Sequence, residues 1–334
     1  MRDALAGCLL GQALGDALGL VVEAAPPESA EEYVAGYLLT GHAGERAHPL
    51  FEFGQYSDDT QLARELLLSM RDAHGWDPAV FAGRIALLFS EGRDVGAGAG
   101  TRAAAARLQA GVPWSEAGTP PPYAGNGSAM RAAPVGVIFH DDVPRLLHVA
   151  TEQSMLTHTD TRCRAGAIAV AGAAALAASR EPIVAGEFLD RLAAWAGHED
   201  HAMGRAIRLI GGWLDLPPEI AAHRLHKSGL DSARMGPWRG IPGHVVPSVA
   251  WSLYSFLRTP DDYWATVCTA IGVGGDTDTM AAMAGAISGA RLGAGALPAA
   301  LLTRLTDRGA WGAADLTELS DDCARIFHSP ASPS

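Results

Sequence analysis

The sequence predicts an all-α fold built as one compact multi-helix bundle. Three observations carry this. Apolar residues recur at three- and four-residue spacing through most of the 334 residues. Alternating strand patterns are nearly absent, and no internal repeat stands out. Loops rich in Gly and Pro punctuate single helices without an interdomain linker, so residues 1–328 read as one domain and 329–334 as a frayed tail.

Ala4 to Leu20 is the first helix. Gly7, Gly11, Gly15 and Gly19 lie four residues apart and give it one smooth face suited to close packing. Asp16 and Gln12 interrupt an otherwise apolar stretch, and Asp16 reads as a buried polar group. Glu23 follows near the helix end, before Pro26 and Pro27; a lone Glu there is ordinarily a solvated surface residue. Residues 27 to 56 read as loop, broken by Gly36, Gly41, Gly44, Pro49 and Gly54. A helix opens at Asp59, with Leu62, Leu66, Leu67 and Met70 on one face, and another covers Pro78 to Ser90. Gly92 to Gly100 is Gly-rich and leads into an Ala-rich helix, Thr101 to Gln109. No strand precedes it, so it is not a Rossmann-type phosphate loop.

Pro113 to Pro122 is a proline-rich loop leading to Gly125-Asn126-Gly127-Ser128. That segment is either a plain turn or a backbone cradle open to a phosphate or ribose. Helices follow at Val143 to Gln153, 162–178, 186–196, 202–214 and 217–226. His158 sits in a polar turn ahead of the Ala-rich helix 162–178, where a satisfied structural histidine is the common case. After a Pro/Gly loop, 236–247, helices cover Ser248 to Leu257, Asp261 to Ile271 and Met280 to Leu292.

Composition bounds the function. The chain is 48% hydrophobic, enough for a sizeable core. A net charge of -12 argues against non-specific nucleic-acid binding. Four scattered cysteines with no C-x-x-C argue against a zinc site and a disulfide framework. The first 25 residues make a poor signal peptide, and no apolar run is long enough to span a bilayer. The expectation is a soluble, cytoplasmic monomer.

Two acidic stretches organise the rest: Ser57-Asp58-Asp59-Thr60 and Gly274-Gly275-Asp276-Thr277-Asp278-Thr279. Each opens an apolar helical run about 220 residues from the other. Ordinary N-capping is one reading. A cap needs one such residue, however, and these stretches carry four aspartates, which repel unless something positive lies between them. The other reading is that the fold brings the stretches together around divalent metal.

The ordered set of motifs resembles the ADP-ribosylglycohydrolase family, the enzymes related to dinitrogenase reductase-activating glycohydrolase. It comprises Gly11-Gln12-Ala13-Leu14-Gly15-Asp16-Ala17-Leu18-Gly19 with Val22-Glu23, then Tyr56-Ser57-Asp58-Asp59-Thr60. Gly125-Asn126-Gly127-Ser128 through Pro134-Val135-Gly136, Thr157-His158-Thr159-Asp160 and Gly274 to Thr279 complete it. The resemblance implies an orthogonal all-α bundle and two divalent ions, Mg²⁺ or Mn²⁺. It implies Ser57, Asp58, Asp59, Asp276, Asp278 and Thr279 as metal ligands, with Glu23 and Asp59 catalytic. Gly125, Asn126, Gly127, Ser128 and His158 would bind the ligand.

The implied activity is hydrolysis of the bond joining ADP-ribose to an acceptor by a water activated between the metals. The acceptor is an ADP-ribosylated protein side chain, arginine favoured, or a small adduct. Two other classes compete. A weakly catalytic ADP-ribose-binding or structural family member would leave the acids free to decay, yet all four aspartates and Glu23 are present. A metal-dependent all-α diphosphate enzyme would want a third acid after Asp58-Asp59, where Thr60, Gln61 and Leu62 stand. The segment 200–247 matches no motif and is a candidate for leaving-group specificity.

Overall fold

The computed structural model describes residues 1–229 and 238–328. Seventeen α-helices and no sheet occur among them. In the first half lie α1 (Arg2–Leu20), α2 (Pro27–Tyr33), α3 (Asp58–Asp72), α4 (Pro78–Ser90), α5 (Ala99–Gln109) and α6 (Trp114–Ala117). They are followed by α7 (Ala133–Ile138), α8 (Val143–Met155), α9 (Thr161–Ala178), α10 (Ala185–Glu199) and α11 (His201–Ile210). Then come α12 (Pro218–Leu225), α13 (Val245–Arg258), α14 (Tyr263–Ile271), α15 (Thr277–Leu292), α16 (Ala299–Leu302) and α17 (Ala313–His328). The expected frayed tail lies outside the described residues, as do residues 236 and 237 of the Pro/Gly loop.

The centre of the bundle is an antiparallel pair, α1 against α15. The glycine face of α1 meets a matching face of small residues. A Cβ on Gly7 would stand 2.2 Å from the Gly289 carbonyl oxygen, one on Gly11 2.4 Å from that of Gly285. On Gly15 it would stand 2.1 Å from that of Ala281, and on Gly19 2.4 Å from that of Thr277. No real Cβ tolerates such distances, so the two backbones touch at four successive turns. This ladder fixes the register: the C-terminal end of α1 lies beside the N-terminal end of α15. Helix α9, apolar and Ala-rich on all sides, runs behind the pair and touches α7, α8, α10, α13 and α15. Helix α17 closes the bundle against α1 and α3.

The structure departs from the sequence expectation in places. Residues 27–38 are not loop but α2 followed by a single π-helical turn, Val34–Leu38. Pro27 starts that helix without losing a needed donor, and Ala30, Tyr33, Val34 and Leu38 bury one face. Helix α11 stops at Ile210 and passes into a short 3₁₀ turn at Gly211–Trp213, where two glycines weaken α-helix. No helix among the described residues is long and apolar enough to cross a membrane.

Candidate metal centre

The glycine ladder brings the acidic stretches together. Asp276 stands at the N-cap position of α15, without a side-chain capping hydrogen bond, where that helix meets the end of α1, and Thr277 Oγ1 donates to the Gly19 carbonyl at 2.8 Å. Glu23 sits in the turn that follows α1, and its neighbour Ala24 donates its N–H to Gly275 O at 3.0 Å. Gly274 and Gly275 have φ of +72° and +94°, and a Cβ on Gly275 would stand 2.1 Å from Ile241 O. Only glycine makes that turn without strain.

Helix α3 is delivered by Asp16. This fully buried carboxylate accepts the Ser57 N–H at 2.8 Å through one oxygen. Its other oxygen accepts the Thr60 N–H at 3.0 Å and the Thr60 hydroxyl at 2.6 Å. Asp16 therefore seals the start of α3 from another helix. Gln12 adds a second tie, donating to Asp59 O at 2.9 Å and Met130 O at 3.1 Å. Ser57 is the local cap, accepting from Asp59 N at 3.3 Å while its hydroxyl donates to Asp59 Oδ2 at 2.9 Å. Capping thus accounts for Ser57 but leaves the purpose of the aspartates open.

Oxygens of Asp16, Asp59 and Asp278 lie within 4.8 Å of one another, and so do oxygens of Glu23, Asp276 and Asp278. Asp278 belongs to both groups. Asp59 Oδ1 and Asp278 Oδ1 are buried and accept no hydrogen bond. Among the described residues, no Lys or Arg forms an ion pair with any of these acids. Burial first, then neighbouring carboxylates, hold Asp58, Asp59 and Asp278 well above the ordinary carboxylate range. Glu23 is pushed up to about 7 by burial and then by Asp276 and Asp16. Burial raises Asp16 to about 6 against its hydrogen bonds. Such an oxygen-only set, short of positive charge, fits hard divalent cations. Both Asp16 oxygens accept hydrogen bonds from the start of α3, so Asp16 orients that helix toward the site.

These groups hold protons more tightly folded than unfolded, so their contribution is present at pH 4 and lost as pH rises through 6 and 7. In EDTA the protein is expected to melt several degrees lower at pH 8 than at pH 5.5. Millimolar Mg²⁺ or Mn²⁺ is expected to restore the loss at pH 8 and to do little at pH 5.5. A melting temperature independent of cation at pH 8 would contradict the centre.

The acids form one wall of a cleft of about 190 Å³. Glu23, Asp58, Asp59, Asp276, Asp278 and Thr279 line it, and Thr279 Oγ1 donates to Asp59 Oδ2 at 3.3 Å. Opposite stand Gly125, Asn126, Gly127 and His158. Asn126 Nδ2 donates to Asp276 Oδ2 at 2.5 Å, joining the two walls. The segment 238–244 lies between them. Gly243 O accepts the Asn126 N–H at 3.2 Å, and Ile241 O accepts the Asp276 N–H at 2.9 Å.

Ser128 faces away from the cleft, its hydroxyl accepting from Ser154 Oγ at 2.8 Å and its carbonyl from Gln153 at 2.9 Å. Fully buried Arg131 braces the same loop, donating to Gly127 O, Gln153 Oε1 and O, and Thr157 Oγ1. His158 packs against Tyr123 with ring centroids 5.7 Å apart, and Nδ1 lies 2.9 Å from Thr157 Oγ1. Burial and then Arg131 lower His158 to about 3, so it is a neutral imidazole, suited to hydrogen bonding rather than to charge pairing. Sequence reasoning did not place Gly96, Gly98, Thr101, Tyr123 or Gly243 on the cleft. The Gly-rich run 92–100 was the one available signal for the first two.

A sequence profile of ADP-ribosylglycohydrolases matches residues 1–332. The chain belongs to the ADP-ribosylglycohydrolase family. It is similar to human ADP-ribosylhydrolase ARH3, 30% identical with 87% of this chain and 86% of that one covered. It is similar to the ADP-ribosyl-[dinitrogen reductase] glycohydrolase of Rhodospirillum rubrum, 26% identical with 91% of each chain covered. A solved ADP-ribosylglycohydrolase-related protein complex contains a chain that superimposes with a TM-score of 0.71 at 27% identity, covering 98% of this chain and 99% of that one. The all-α architecture expected of an ADP-ribosylglycohydrolase is thus the one observed.

Proposed function

We propose that the protein is a cation-dependent hydrolase that cleaves the glycosidic bond between ADP-ribose and an acceptor, with an arginine side chain the favoured acceptor. The observation that carries this is Asp278, shared by two carboxylate groups that open into one cleft opposite the Gly125–Gly127 loop. Ser57, Asp58, Asp59, Asp276, Asp278 and Thr279 would hold two divalent cations, Mg²⁺ or Mn²⁺, and the Ser57 hydroxyl also orients Asp59. Bound there, they supply Lewis acidity and lower the pKa of water at the cleft.

The chain's own groups do the rest. Asn126 and the glycines beside it allow close approach of a ribose or pyrophosphate, and His158 offers Nε2 to a ligand oxygen. Hydrolysis breaks the bond from the anomeric carbon to the acceptor atom. Water supplies hydroxyl to that carbon, and its proton leaves with the acceptor. Glu23, which lines the cleft, would take and return this proton. Burial first, then Asp276 and Asp16, raise its affinity for protons; cations held beside those carboxylates would offset their share and favour the ionised, basic form.

Incubation with ADP-ribosylated arginine and with ADP-ribosylated serine, in Mg²⁺, in Mn²⁺ and in EDTA, tests the reading. Free ADP-ribose is expected with cation only. Release unaffected by EDTA, or no release from any conjugate, would refute it. Glu23→Gln is expected to lower kcat by about 10²–10⁴-fold with ADP-ribose affinity changed far less. An unchanged kcat would remove Glu23 from the chemistry.

A further inference from the structure

A hub outside the cleft is tied to two of the segments that line it, at Asp58 and at Gly96. Asp307, in the turn after α16, has its side chain almost wholly buried. Its Oδ2 accepts from Arg64 Nη1 at 2.7 Å, and its Oδ1 accepts from Gln61 Nε2 at 2.9 Å. Arg64 is itself fully buried, pairs with Glu65 at 3.0 Å and lies 4.9 Å over the Trp311 ring. Gln61 spends its remaining capacity on the Gly-rich segment. Its Nε2 also donates to Arg93 O at 2.9 Å, and its Oε1 accepts the Val95 N–H at 3.0 Å. Val95 O in turn accepts the Asp58 N–H at 2.7 Å. The chain of contacts ends at Gly96, where a Cβ would stand 3.6 Å from Ser57 Cβ and 3.7 Å from Asp58 Oδ1.

The same turn grips the approach to α3. Thr306 O accepts the Tyr56 N–H at 3.3 Å, Thr306 N–H donates to Gly54 O at 3.0 Å, and Arg308 N–H donates to Gln55 Oε1 at 2.8 Å. One turn therefore fixes two separate segments, 54–58 and 93–96, that meet at Asp58. None of its residues lines the cleft.

We propose that Gln61 and Asp307 are positioning residues, which hold Asp58 and the Gly96 wall at the spacing a divalent cation requires. The inference rests on reading the acidic cluster as a cation site. Supporting shells of this kind set cation affinity because they fix ligands that would otherwise relax apart from one another.

The test reads cation binding, not turnover. Mn²⁺ titration of the full chain, followed by electron paramagnetic resonance, is expected to show a Kd raised about tenfold or more in Gln61→Met. Asp307→Ala, which removes the acceptor for Gln61, is expected to raise Kd as well as lower melting temperature, whereas Asp307→Asn keeps that acceptor and is expected to lose melting temperature more than affinity. A purely structural role would lower melting in every variant and leave Kd unchanged; a Gln61→Met value within twofold of wild type overturns the proposal. Hydrogen exchange on the wild-type chain tests it without substitution. Mn²⁺ is expected to slow exchange at 93–97 and 305–310 along with 57–60, and protection confined to 57–60 also overturns it. No Mn²⁺ binding by the wild-type chain would overturn the cation reading and this inference together.

Discussion

Asp278→Ala is expected to abolish cation-dependent release of ADP-ribose, with a loss of about a thousandfold or more. The residue contributes an oxygen to both carboxylate groups, so one substitution removes a ligand from each. A cation that stabilises developing charge is worth several kcal/mol, and about 4 kcal/mol corresponds to three decades in rate. The same change is expected to raise the melting temperature of the cation-free protein at pH 8. It deletes a buried carboxylate held well above its ordinary range by burial and by Glu23, Asp276, Asp59 and Asp16. Gain of stability with loss of activity is the mark of a site that stores repulsion for function. Helical circular dichroism should be unchanged. Full activity in Asp278→Ala would remove the metal assignment, and a lower cation-free melting temperature would mean that Asp278 has a structural partner.

Gly285→Val is expected to be the most damaging single change to the fold. Even a Cβ at this position would stand 2.4 Å from Gly11 O, and valine adds two methyl groups. Helices α1 and α15 would have to separate along their length. Overpacking of this kind costs about 3 kcal/mol and sometimes more. It would also pull Asp276 and Asp278 away from Asp16 and Glu23, so cation affinity should fall with stability. Gly83→Ala is the matched control. That glycine lies on an exposed part of α4 with open space at its Cβ position, and alanine there should stabilise by about 0.5–1 kcal/mol. Chemical denaturation of the two variants should give opposite signs. Equal, small effects would mean that the α1–α15 contact is looser than described.

Much of this architecture was legible in the chain because its signals are local. The four-residue glycine spacing predicted a close helix contact, and the partner stripe Ala281, Gly285 and Gly289 proved to have the same spacing. Four aspartates at two helix starts exceeded what capping needs, and the fold places them together. Asp16 was recognisable as a polar intrusion, although its task of capping α3 from another helix depends on a contact 41 residues away in sequence. Other features had no local signature. Tyr123 reaches the cleft through a loop path that periodicity does not encode, and Thr101 from the first turn of α5, whose helical pattern says nothing of what that turn faces. Asp307 acts on residues 243 to 252 positions distant, and a lone Asp in a turn looks like any other. Ser128 stands in the motif expected to touch ligand, yet its hydroxyl turns inward, a choice made by Ser154 and not by the motif.

The glycine ladder also has a bearing on biogenesis. Residues 7–19 leave the ribosome about 270 residues before their partner stripe, which at about 5–20 residues per second is tens of seconds. Throughout that interval a nascent chain carries an almost entirely apolar first helix whose glycine face has no partner, although α3 and α7 can already pack on its other sides. Premature termination between α3 and Gly275 yields a polypeptide that keeps Asp58 and Asp59 but lacks Asp276 and Asp278, and so cannot complete the centre.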